Sequence, residues 1–197
     1  MQPSQVCKVG HAAPAFKSMA WWNGKHQELS LDQFKGKYVV LFFYPADFTF
    51  VCPTEIVQFS DKSPEFDKIG CQVIACSTDT HHSHKEYAKK DRKKGGLAPM
   101  VIPMLGDRTT QISADYGCLC QIPGGDAGCA YRATYIIDKE GKLRHMSIGD
   151  MPVGRNVDEF FRLVQAFQYA DEYGEVCPSK WKPGAATMNP DHDGSKT

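Results

Sequence analysis

The chain has no excess charge of either sign. Among 197 residues, 23 Lys and Arg balance 23 Asp and Glu, and the isoelectric point is near 7.0. Overall electrostatics therefore give no support to binding nucleic acid or an anionic membrane. No run of about 18 apolar residues occurs, so no membrane-crossing helix is expected. The start, Met1-Gln2-Pro3-Ser4-Gln5-Val6-Cys7-Lys8, lacks a basic segment followed by an apolar one. No secretory leader is read there, and the expected location is cytoplasmic. Cys-x-x-Cys is missing, which weakens dithiol-reductase and zinc-ribbon readings. The eight cysteines, at 7, 52, 71, 76, 118, 120, 129 and 177, make up roughly 4% of the chain, too sparse for a disulfide-stapled scaffold. In a reducing compartment they are read as buried thiols, metal ligands or redox catalysts. No internal repeat is evident.

What is present supports a real core: 42% of the residues are hydrophobic. The length suggests one domain, residues 1–173, followed by a tail, 174–197. The informative stretch is Tyr44-Pro45-Ala46-Asp47-Phe48-Thr49-Phe50-Val51-Cys52-Pro53-Thr54-Glu55. It follows an apolar run, 38–43, of the length and composition of a buried strand. Pro53 suits the first turn of a helix, where its missing N–H has no partner to lose. Cys52 is thus placed where a loop turns into a helix N-terminus. Backbone N–H groups converge there and the helix dipole favours negative charge. A thiol in that place is easier to ionise, and the thiolate is the nucleophile.

Along the rest of the chain, residues 1–37 read as turn-rich, with one or two short strands and a brief helix near 31–34. Pro64 is expected to kink or divide the helix after Cys52, with Ser63 as a new N-cap. Residues 72–77 read as a strand and 82–93 as a charged helix ending at Gly95-Gly96. Pro103 marks 101–105 as an edge strand or loop. A short helix is expected over 109–116. Strands 132–137 and 143–148 flank the turn cluster Asp138-Lys139-Glu140-Gly141 and read as a hairpin. The helix 156–170 carries Val157, Phe160, Phe161, Val164 and Phe167 on one core-facing side. Asn156 is its expected cap, with Glu159 completing a capping box. The last ten residues are expected to be disordered. Helices interleaved with apolar strands indicate a three-layer α/β sandwich with a mixed sheet, of which the thioredoxin-like fold is one form, plus an extended C-terminal tail.

Four blocks then carry a resemblance. Pro45-x-x-x-Thr49-x-x-Cys52 with Pro53-Thr54-Glu55 resembles the active-site motif of the peroxiredoxins. Gly128-Cys129-Ala130-Tyr131-Arg132 resembles their arginine-bearing segment. Asp150-Met151-Pro152-Val153-Gly154-Arg155 and Gly174-Glu175-Val176-Cys177-Pro178 resemble two further blocks, in the same order. The match spans about residues 8 to 187 and points to the typical two-cysteine subgroup. Taken singly these residues say little: a cysteine at a helix start is most often a small buried side chain, Arg132 a surface or ion-pair arginine, Cys177 an ordinary tail thiol.

The resemblance implies a thiol peroxidase acting on hydrogen peroxide and small organic hydroperoxides, in antioxidant defence and peroxide signalling, without a cofactor. Cys52 is the implied peroxidatic thiol and passes to a sulfenic acid. Arg132 and Thr49 hold the thiolate and peroxide oxygens, and Pro45 fixes the loop and screens the sulfur. Glu55 and Arg155 hold Arg132. Cys177, from a partner subunit, resolves the sulfenic acid as a disulfide, which a thioredoxin-type protein reduces. The implied assembly is a homodimer, growing to a decamer through the region of His82. A redox-switched holdase is implied as an additional activity. A non-catalytic scaffold is disfavoured by the joint presence of Thr49, Cys52, Arg132 and Cys177.

Three departures matter. Peroxide-sensitive relatives carry Gly-Gly-Leu-Gly where this chain has Gly95-Gly96-Leu97-Ala98, and end in a helix with a Tyr-Phe pair that is not seen before Thr197. If Thr197 is the natural end, rather than the edge of a longer chain, the expectation is resistance to over-oxidation. His82 stands where many relatives have an apolar residue between dimers, so a pH-sensitive ring is expected. Cys118, Cys120 and Cys129, and separately His81, His82 and His84, are zinc-type groups. The Cys-x-Cys spacing is tight and lacks a matching pair, and no metal is expected. Cys71 and Cys76 are expected to serve core packing.

Overall fold

The computed structural model describes residues 7–190. Residues 1–6, and all but three residues of the segment expected to be disordered, lie outside the described residues. The chain divides into two compact units, one up to Arg155 and one from Asn156 onward.

The first unit is built on a seven-stranded sheet. Its strands are β1 (Lys17–Trp22), β2 (Lys25–Ser30), β3 (Tyr38–Phe43), β4 (Cys71–Ser77), β5 (Met104–Gly106), β6 (Arg132–Ile137) and β7 (Leu143–Gly149). Their order is β2-β1-β5-β4-β3-β6-β7. The pairs β3–β4 and β4–β5 are parallel and the remaining ones antiparallel. The sheet is therefore mixed, with an antiparallel hairpin at each edge. Three helices belong to this unit: α1 (Cys52–Lys68), α2 (His81–Lys89) and α3 (Gln111–Asp115). This is the thioredoxin-like arrangement the sequence indicates.

β3 explains the placement of the cysteine loop. All six of its residues are buried, because it has a strand on each side and a layer on each face. Val39, Leu41 and Phe43 enter a core cluster with Phe16, Leu29, Ile74 and Tyr135. Phe42 points to the other face and stacks on Phe59 of α1, ring centroids 4.1 Å apart. Each such aromatic or aliphatic side chain contributes about 1.5–3 kcal/mol on burial. The strand and α1 are thus fixed on each other, and the loop between them is short. At the far edge, Asn23 and Gly24 have φ of 51° and 76°, the two positive values a two-residue hairpin turn needs. That turn sets Trp21 opposite His26. The β6–β7 hairpin is also as expected, with Asp138 Oδ1 accepting from Glu140 N at 3.1 Å and Lys142 N at 2.8 Å.

Three expectations change. α1 runs unbroken through Pro64, and Ser63 lies inside it rather than capping a second helix. Ile56, Phe59, Ser63 and Phe66 are buried along the helix, and that packing outweighs the proline cost of about 3 kcal/mol. Residues 101–103 are loop, one of the two readings, while 104–105 belong to a strand that is not at an edge. β5 begins after Pro103 and sits between β4 and β1. The proline keeps its acceptor in play, since Ala75 N donates to Pro103 O at 3.0 Å. The charged helix ends at Lys89, and Arg92–Lys94 form a separate 3-10 turn. The chain folds back so tightly there that a Cβ on Gly96 would lie 2.1 Å from the Lys90 carbonyl oxygen. Gly96 is thus required by close backbone approach.

The second unit holds α4 (Val157–Tyr173). Asn156 caps it, its side chain accepting from Asp158 N at 3.0 Å. Glu159 pairs with Arg162 at 2.7 Å. Gly174, at φ 69°, ends the helix in the left-handed conformation that glycine tolerates. The following segment folds back on itself. Val176 and Met188 exchange backbone hydrogen bonds of 2.9 and 3.1 Å. Trp181 is buried within the loop they close and donates from Nε1 to Ala185 O at 3.1 Å.

Candidate active site

Cys52 is the first residue of α1, and Pro53 follows it in the first turn. Its side chain is 1% exposed. Arg132 opens β6, the second strand from the β7 edge, and aims its guanidinium at the helix start. Arg132 Nη1 lies 3.4 Å from Cys52 Sγ and donates to Glu55 Oε2 at 2.6 Å. Arg132 Nε donates to the Met151 carbonyl at 2.6 Å, which fixes the plane of the fork.

Glu55, one turn after the cysteine, is the hub. Its Oε1 accepts from the Arg155 backbone N at 2.7 Å and from Arg155 Nε at 2.8 Å. Arg155 also donates to Ala133 O at 2.7 Å and Thr134 Oγ1 at 3.2 Å, and lies over the rings of Phe42 and Phe59. Burial pulls the Arg155 guanidinium below its ordinary range, with the bonds and charge of Glu55 opposing it. Two guanidinium groups and one carboxylate leave one positive charge uncompensated in a site closed to water. A single thiolate cancels it, and a buried charge is tolerated when so paired. The structure thus brings Cys52, Glu55, Arg132 and Arg155 together.

Pro45 and Thr49 lie in the intervening loop. Pro45 is buried and Thr49 exposed. Thr49 Oγ1 donates to the Ala46 carbonyl at 3.0 Å. With its proton committed there, its oxygen is left to act as an acceptor. Cys177 belongs to the second unit, half-buried, with Sγ 3.6 Å from the Ala166 carbonyl. Burial holds its thiol above the ordinary range, partly offset by Arg162.

One support of the site escapes sequence reading. Asp47 is buried and accepts from Tyr44 Oη at 2.7 Å, Ser83 Oγ at 2.7 Å and His84 Nδ1 at 2.9 Å. Its own N–H donates to Asp79 Oδ2 at 2.8 Å, and His84 Nε2 meets Leu105 O at 3.2 Å. These bonds anchor the loop just where Phe48 takes φ of 58°, a conformation that costs a non-glycine residue on the order of 1 kcal/mol. Asp47 stands inside the motif, but no local pattern pairs it with His84. His84 is thereby separated from His81 and His82. Of the other thiols, Cys71 and Cys76 are buried in β4 and burial pushes both well up. Cys118 is pushed up to about 12 by burial. These are packing residues, as the sequence suggests for the first two.

The arrangement equips one sulfur, on a helix N-terminus beside a clamped guanidinium, to attack an electrophile and to stabilise charge that develops next to it. Known proteins agree with this chemistry. Residues 9–146 match the AhpC/TSA family and residues 166–197 the C-terminal domain of 1-Cys peroxiredoxin. Peroxiredoxin-2 of Bos taurus is 53% identical over 97% of this chain and 95% of its own. The mitochondrial thioredoxin-dependent peroxide reductase of Mus musculus is 54% identical over 95% of this chain and 72% of its own. Among solved structures, the reduced 2-Cys peroxiredoxin of Plasmodium vivax superposes with a TM-score of 0.90 at 37% identity, covering 95% of this chain and 96% of that one. The chain belongs to the AhpC/TSA family, among the peroxiredoxins, and is an oxidoreductase of the peroxidase type.

Proposed function

We propose that this peroxidase reduces hydrogen peroxide and small organic hydroperoxides by a two-cysteine cycle. The observation that carries the reading is the single Arg132 Nη1 shared between Cys52 Sγ and Glu55. The Cys52 thiolate attacks one peroxide oxygen. An S–O bond forms, the O–O bond breaks, and the departing oxygen takes up a proton and leaves as water or an alcohol. The thiol is oxidised to a sulfenic acid and the peroxide is reduced. Arg132 donates to the oxygens as charge shifts along this line, while Thr49 Oγ1 accepts a hydrogen bond from the peroxide's O–H and leaves the proton for the departing oxygen. Pro45, buried at the end of β3, shapes the loop and keeps water from the sulfur.

Cys177 of a partner subunit then attacks the sulfenic sulfur. An S–S bond forms and water departs. A thioredoxin-type dithiol reduces the bridge by exchange; the name of the mouse relative above supports that choice. Because Cys52 is closed off in α1, its first turn must open before the two sulfurs meet. The working unit is a homodimer, assembling to a decamer through the face that carries His82, an exposed residue at the start of α2. We place the protein in the cytoplasm, in line with eight unpaired thiols, where it serves antioxidant defence and peroxide signalling. A holdase activity is additional, and the exposed side chains of Phe50, Ile122 and Val153 supply apolar surface for it.

A non-reducing gel after one equivalent of peroxide tests the cycle. A covalent dimer is expected, and it is expected to vanish in Cys177→Ser. A dimer that persists in that variant overturns the pairing.

A further inference from the structure

Two of the clustered histidines meet a third that lies far away in sequence. His26, on β2, reaches the first turn of α2, where His81 and His82 are the first two residues. One ligand atom from each of the three side chains lies within 4.8 Å of the other two. His26 Nδ1 and His81 Nδ1 are 2.8 Å apart. The His82 ring centroid is 4.8 Å from that of His26 and 4.1 Å from that of His81.

Two ring nitrogens at hydrogen-bond distance need one N–H and one bare lone pair, so at least one of these rings is neutral on the facing side.

We propose that His26, His81 and His82 form a three-imidazole site for a divalent first-row cation of the zinc class, with a fourth position open to water beside the exposed His82. Neutral imidazole is the ligand such ions share. Zn–N bonds near 2.0–2.1 Å set tetrahedral ligand nitrogens about 3.3 Å apart. That lies between the closest separation here, 2.8 Å, and the 4.8 Å limit, so side-chain rotation covers the difference. The ion would clamp the β1–β2 hairpin to α2, the helix whose Ser83 and His84 hold Asp47 under the catalytic loop. The signal is spread over two elements, which is why the cluster of 81, 82 and 84 misdirects a reader of the sequence alone. The proposal does not rest on the peroxidase reading.

The test is titration of chelator-treated, reduced, full-length protein with Co²⁺, followed by displacement with Zn²⁺. One Co²⁺ per chain is expected, with visible d–d bands of nitrogen and oxygen coordination and no near-ultraviolet thiolate charge-transfer band. His26→Gln and His82→Ala are each expected to weaken binding by at least about tenfold, the scale on which metal sites respond to a lost support. Unchanged peroxide turnover in His26→Gln reports that the fold is kept. If it is not kept, His82→Ala, with its assembly checked by sedimentation, decides alone. Affinity equal to the unaltered chain, substoichiometric binding, or a thiolate charge-transfer band would overturn the site.

Discussion

Arg132 Nη1 stands 2.6 Å from Glu55 Oε2 and 3.4 Å from Cys52 Sγ. One nitrogen is thus held by a carboxylate and offered to a sulfur. Because Arg155 grips the same carboxylate from the other side, the position of the guanidinium is set by Glu55 and Arg155 rather than by the cysteine.

Glu55→Gln removes the charge that holds both arginines while keeping the size of the side chain. Breaking a buried ion pair in this way costs about 3 to 5 kcal/mol. A clear fall in melting temperature is expected, together with a drop of about a hundredfold in the rate of peroxide consumption. Melting curves and stopped-flow assays read the two effects separately.

Arg132→Lys keeps the charge and loses the fork that serves Met151, Glu55 and Cys52 at once. Arginine and lysine are not interchangeable at such a site. Stopped-flow measurement is expected to show a rate loss comparable with that of Glu55→Gln but a smaller change in melting temperature.

Asp47→Asn tests the loop support. The side chains of Asp47 and His84 are 1% and 0% exposed, and Asp47 accepts bonds from three side chains. A loss of about 3 kcal/mol is expected, read as a lower urea midpoint. Peroxide reactivity is expected to fall with it, because the positive-φ turn at Phe48 loses its anchor.

Tyr87 gives a prediction of the opposite sign. Its ring is fully buried against Phe48, with centroids 4.6 Å apart, and its hydroxyl lies near the Phe48 backbone without a hydrogen bond of ordinary geometry. An unsatisfied buried hydroxyl costs about 1 to 3 kcal/mol. Tyr87→Phe is therefore expected to raise the melting temperature. A lower melting temperature would show that the hydroxyl is bonded.

In the proposed cycle, the resolving step carries a pH signature. Burial raises the Cys177 thiol above its ordinary range, so at neutral pH it is held mainly as the unreactive thiol. Raising the pH converts it to thiolate. Disulfide formation after a peroxide pulse is expected to accelerate steadily between about pH 7 and 9. A rate that is flat over that range would contradict this.

Much of this was legible in the sequence because it is local. Residues 38–43 announce a buried strand by being apolar throughout, and Pro53 marks the helix start that receives Cys52. Arg132 and Arg155 were legible through the resemblance, as was the role of Glu55. What was not legible depends on tertiary packing. Pro64 breaks no helix because Phe59 and Phe66 bind both halves of α1 to the core. Pro103 escapes the sheet by one residue, so β5 lies inside it. The Asp47–His84 contact spans 37 residues, and the His26–His81 contact spans 55. No periodicity carries either.

The central claim is that Cys52, clamped beside Arg132, is the thiol that peroxide oxidises first. Its most direct test is to pulse the reduced Cys177→Ser protein with one equivalent of hydrogen peroxide, trap sulfenic acid with a dimedone-type nucleophile, and locate the adduct by peptide mass spectrometry. The account predicts one adduct per chain, on Cys52. An adduct on another cysteine, with Cys52 unmodified, would contradict it.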